Sequence, residues 1–115
     1  MKGRAVVTGL GAVSGAGIDT VALAAALREG RSCVRALDDV GAEWPGAMGA
    51  PVPGLDPLDF VSRRDASRLD RSALLWVIAG LAALEHSRLL DGAVDRNRIG
   101  VFEGDHVELV IPPTP

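Results

Sequence analysis

The 115 residues carry 12 Lys and Arg against 15 Asp and Glu, a formal net charge of −3 with a pI near 5.2, and the length fits one small domain or a piece of a larger one. That balance argues against a general nucleic-acid binder, whose phosphate contacts need clustered cations, and an aromatic content of 3% argues against a base-stacking platform. Cys33 is the single cysteine, which rules out an internal disulfide and fits a reducing compartment; the expectation is a cytoplasmic chain with neither a membrane nor a nucleic acid among its partners.

The chain opens with AVVTGLGAVSGAG, residues 5–17. Two β-branched valines ahead of a glycine turn predict a buried strand over residues 5–8. Gly9 and Gly11 break the apolar run early, so the N-terminus does not read as a signal peptide. Asp19 or Thr20 can cap a helix running to about Glu29, with Arg28 in its last turn and Gly30 closing it in a left-handed conformation. Val21, Leu23, Ala24 and Leu27 give that helix an apolar face to lie on a sheet.

Residues 34–66 are broken up by Gly41, Pro45, Gly46, Gly49, Pro51, Pro53, Gly54 and Pro57. This pattern predicts loop, a short strand or two, and a brief helix over 57–61, where Asp56 can cap and Pro57 fits the first turn. Arg63, Arg64 and Asp65 lead into the strongest element, a helix from about Ser67 or Asp70 to Ser87. Its centre, ALLWVIAGLAAL, is apolar on every side, which predicts burial on more than one face. At 12 residues that run is too short to span a bilayer, which takes about 20. Asp70 near its start and His86 and Arg88 near its end complement the helix dipole. Gly80 in its interior costs about 1 kcal/mol against alanine, a cost that close approach by another backbone would explain. A polar link, DGAVDRNR, follows, and residues 99–102 read as a second strand. Gly104 and Asp105 form a plausible hairpin turn, with residues 106–111 pairing back before Pro112, Pro113 and Pro115 end the sequence.

Three groups of residues invite a chemical reading. Gly9-x-Gly11 between a strand and a helix resembles a dinucleotide fingerprint, but Ser14 replaces its third glycine, and Asp38 and Asp39 come late and after no clear strand. A tight strand-to-helix turn accounts for the same residues. Cys33 would need a base to act as a nucleophile, and nothing in the spacing brings His86 or His106 to it; a small, partly buried cysteine is the simpler reading. Asp105, His106 and Glu108 make a short acidic cluster with too few ligands at too irregular a spacing for a metal site. No catalytic, cofactor-binding or metal-binding residue is assigned.

Read in order, four segments resemble the N-terminal part of a β-ketoacyl synthase, a condensing enzyme of the thiolase superfamily. AVVTGLGAVSGAG is similar to the family's opening strand and turn, and REGRSCV to the segment after its first helix. PVPGLDPLDFVSRRDASRLDRSA is similar to a longer family stretch, and RNRIGV to the strand that follows the long helix. The order and distances match over about residues 4–101. Gly15 and Ala16 stand where the family has a proline and an apolar neighbour, Ser72 where it has a large apolar residue, and FEGDHVELVIPPTP where it has a glycine-rich turn.

The resemblance implies an α/β fold: a partial thiolase-like layered half-domain with two or three strands, a long buried helix, and sheet edges left open. Residues 1–103 form the ketosynthase-like region and residues 104–115 a divergent tail, a hairpin strand in the reading above. The glycines of residues 9–17 then form a ketosynthase turn that needs no phosphate. The family performs decarboxylative condensation in fatty acid or polyketide biosynthesis, with a cysteine nucleophile, two histidines and no cofactor. Those three residues follow this region in the family, and Cys33, His86 and His106 match none of them. The chain therefore reads as a ketosynthase segment truncated ahead of its catalytic residues and inactive alone. The alternative is an interaction or dimerisation protein that docks on a ketosynthase. Self-association or a ketosynthase is the expected partner, with acyl carrier protein implied by the resemblance only.

Overall fold

The computed structural model describes residues 3–38, 45–102 and 104. Helix α1, Thr20–Glu29, begins where the side chain of Asp19 accepts from the Ala22 amide at 2.8 Å. It ends at Gly30, φ 62°, with the Arg31 amide donating back to the Ala26 carbonyl at 3.0 Å. These caps take up backbone groups that a helix end otherwise leaves unpaired. The face expected to lie on a sheet stays largely open, because Ala26 is buried while Val21 and Leu27 are each more than 70% exposed.

Strands β1, Arg35–Ala36, and β2, Met48–Gly49, pair antiparallel with Arg35 opposite Gly49 and Ala36 opposite Met48. Leu37 extends the ladder by donating to the Ala47 carbonyl at 2.9 Å. A 3₁₀ turn, Pro57–Asp59, follows, with Asp56 accepting from the Leu58 amide at 3.0 Å. A short helix, α2, Arg63–Arg68, then appears where the sequence predicted only a lead-in; Ser62 caps it by accepting from the Asp65 amide at 3.1 Å.

Helix α3, Arg71–Ser87, starts at Asp70, whose carboxylate accepts from the Ala73 amide at 2.7 Å. It stops at Arg88, which adopts the left-handed conformation at φ 58°. Its burial is narrower than its composition predicts. Leu74 and Ile78, one turn apart on a single stripe, are buried, whereas Trp76 and Leu81 are exposed. The described elements cover one side of an all-apolar helix and leave the other open.

The two segments predicted as strands, residues 5–8 and 99–102, belong to no strand among the described residues. A β pattern supplies side chains suited to a sheet, but a strand exists only when a neighbour takes its amides and carbonyls. The two-stranded sheet lies in the glycine- and proline-rich stretch instead. The fold class stands as mixed helix and strand. Asp39, Asp105, His106, Glu108 and the predicted pairing of residues 106–111 lie outside the described residues. Among those described, no helix is long and apolar enough to cross a membrane.

Candidate functional site

The most developed concave feature is an open apolar groove of about 510 Å³ with the uncovered side of α3 as its floor. Trp76, Val77, Gly80 and Leu84 contribute to that floor, and residues 6–9 and 99–102 form the walls. The wall side chains point apolar surface at solvent: Val6 and Val7 are 76% and 79% exposed, and Phe102 is 93% exposed. The main-chain groups of residues 5–8 and of residues 100–102 make no hydrogen bond to any described residue.

The N-terminal wall is held against α3 at its end by two glycines. A Cβ on Gly9 would lie 2.5 Å from both the Ala83 carbonyl oxygen and the Ser87 amide nitrogen. A Cβ on Gly11 would strike the Ala79 carbonyl oxygen and sit 2.7 Å from the Ala83 nitrogen. Between them, the Leu10 amide donates to Nδ1 of His86 at 3.0 Å. The sequence predicted a close backbone approach at Gly80; it occurs at Ala79 and Ala83, and the nearest atom to a Cβ on Gly80 is Cζ3 of Trp76 at 4.0 Å.

The rest of the glycine turn is also shaped by packing. Ser14 and Gly17 exchange hydrogen bonds at 2.9 and 3.1 Å, and the Ala16 amide donates to Ser14 Oγ at 3.2 Å. With the Leu10 amide on His86, four amides of this segment already have partners. A phosphate cradle needs such amides free, and the helix that follows starts at an aspartate rather than an open N-terminus. Gly15 is required for a further reason: a Cβ there would lie 2.7 Å from Ala50 Cβ and 3.1 Å from Cys33 Cβ.

Cys33 and His86 serve different places. Cys33 is half-buried in a second concavity of about 330 Å³ with Arg31, Arg35 and residues 51–53. The Arg31 guanidinium donates to its sulfur at 3.6 Å and pairs with Glu29 at 3.2 Å. His86 faces the Leu10 amide. Among the described residues no three His, Cys, Asp or Glu side chains gather as metal ligands do. Sequence reasoning did not find the groove; its signal was apolar, β-rich segments on either side of a helix that is apolar all round.

The same elements carry a family signature. The family model for the β-ketoacyl synthase N-terminal domain matches residues 2–108. The chain belongs to the β-ketoacyl synthase family. Curated relatives agree. The chain is 31% identical over 104 residues to 3-oxoacyl-[acyl-carrier-protein] synthase 2 of Synechocystis sp.. It is 34% identical over 105 residues to the tetracenomycin polyketide synthase ketoacyl synthase alpha subunit of Streptomyces glaucescens, and 32% identical over 105 residues to nodulation protein E of Rhizobium meliloti. Each match takes in 90% of this chain but only 25 or 26% of the relative, so the chain spans about a quarter of the length of these ketosynthases. No solved structure matches it at comparable significance.

Proposed function

We propose that this chain supplies the opening part of a ketosynthase of fatty acid or polyketide biosynthesis and does not condense acyl units by itself. The family match over residues 2–108 carries this reading. In the intact family a cysteine holds the acyl group as a thioester, and two histidines assist the loss of carbon dioxide from the malonyl unit. Its α-carbon then forms the new carbon–carbon bond as the cysteine thiolate departs. The surroundings of Cys33 support assigning it no such role, since its described polar neighbour is an arginine and His86 is engaged elsewhere.

A carrier-protein partner, which the name of the Synechocystis relative includes, has support in charge. Arg63, Arg64 and Arg68 of α2 and Arg71 at the start of α3 are all exposed. None is in an ion pair among the described residues, where the one such pair is Arg31–Glu29. In a chain of net charge −3, this local excess of cation suits a partner presenting carboxylates.

The deciding experiment incubates the purified 115-residue chain with an acyl thioester and malonyl carrier protein and follows the β-ketoacyl product by mass spectrometry. No product above the enzyme-free control is expected. Turnover by the chain alone would overturn the proposal. The second reading, a non-catalytic protein that docks on a ketosynthase, is favoured by one observation, the uncovered groove over α3.

A further inference from the structure

We infer that the groove over α3 is a β-addition surface whose occupant is an extended strand of a ketosynthase body, the part of the family's length that lies beyond the region matched here. The inference rests on the family reading above and names the partner for its open face. Its chemistry comes from three properties of the groove. The floor is apolar, so the occupant must present apolar side chains along one face. The walls, residues 5–8 and 99–102, are β-rich segments whose main-chain donors and acceptors find no partner among the described residues. An exposed row of such groups is a template for another strand.

An amphipathic helix would satisfy the floor and leave the walls unsatisfied, because its own main-chain groups are already paired internally. An extended strand satisfies both, with alternate side chains down onto α3 and amides and carbonyls sideways to a wall. The source of that strand follows from length. This chain accounts for 25% of the Synechocystis relative, so three quarters of that protein lies outside the match. The core built by the described residues is small, with only Ala26, Leu74 and Ile78 buried among the hydrophobic side chains. A partner that finishes the sheet would cover Val6, Val7, Val101 and Phe102 in one step.

The test co-expresses the whole 115-residue chain with the remaining three quarters of the Synechocystis relative. A one-to-one complex is expected by size-exclusion chromatography with light scattering. Hydrogen exchange at the amides of residues 5–8 and 100–102 should slow by about 100-fold or more in the complex relative to the chain alone. Val7→Pro and Val101→Pro each remove one wall donor and should lower complex recovery by about 10-fold, whereas Arg28→Glu on α1 should leave it unchanged. Exchange is read on the unaltered chain, so a proline variant that failed to fold would not decide the matter. Absence of a complex, a complex without slowed exchange at those amides, or a homodimer already protecting them would each overturn the inference. Condensation by the chain alone would instead overturn the proposed function and leave this result standing.

Discussion

A methyl group at position 11 would run into the Ala79 carbonyl and approach the Ala83 amide nitrogen to 2.7 Å. Both are backbone atoms of a helix and cannot swing aside as a side-chain tip can. Gly11→Ala is therefore expected to destabilise the chain by roughly 1–3 kcal/mol, the range for forcing volume into a packed contact. Gly80→Ala is the opposite case. Its Cβ meets nothing nearer than Trp76 Cζ3 at 4.0 Å, so the helix-propensity gain of about 1 kcal/mol should appear as added stability. Urea unfolding of the two variants beside the parent checks both signs, and similar midpoints for the pair would refute the packing argument. The sequence marked all three glycines as special but could not say which met a backbone. That constraint lies at Ala79 and Ala83, 68 and 72 positions away from Gly11 in the chain, and only the folded arrangement brings them together.

Helices and their caps were legible in the sequence because the physics that sets them is local. Asp19, Asp56 and Asp70 each accept from an amide two or three residues on, and Gly30 closes α1 left-handed. None of this requires distant chain. The strands were not legible in the same way: residues 5–8 and 99–102 have strand-like side chains, but pairing depends on a neighbour that their own composition does not specify. Helix α2 escaped notice because its arginines and its six-residue length gave no apolar period, although Ser62 was available as a cap. Two substitutions measure the ends of α3. Asp70→Ala removes the acceptor for the Ala73 amide and should cost about 1 kcal/mol. Arg88→Gly relieves a left-handed conformation held by a residue with a Cβ and should add about 0.5 kcal/mol. Thermal melts followed by circular dichroism should move in opposite directions, and a melting temperature lowered by Arg88→Gly would show that the Arg88 side chain does more than tolerate its backbone.

At the scale of the whole molecule, charge and apolar surface are unevenly distributed. Apolar surface gathers in the groove over α3, while unpaired cation gathers around α2 and the first residue of α3. Arg64 and Arg68 are one turn apart on the same side of α2. If this cluster meets a carrier protein through its charge, association depends on ionic strength, since the Debye length falls from about 10 Å at 0.1 M salt to about 3 Å at 1 M. Binding of an acyl carrier protein to the complemented complex, measured by calorimetry at low salt, should weaken by about 10-fold or more as sodium chloride approaches 1 M. The double variant Arg64→Glu with Arg68→Glu should lose about as much at low salt. Arg28→Glu makes the same charge change at the end of α1 and should have little effect, because it removes charge from the chain without touching the cluster. Equal losses from the two sites would mean that net charge alone drives the encounter. Salt-insensitive binding would remove the arginines from the interface and leave apolar contact as its source.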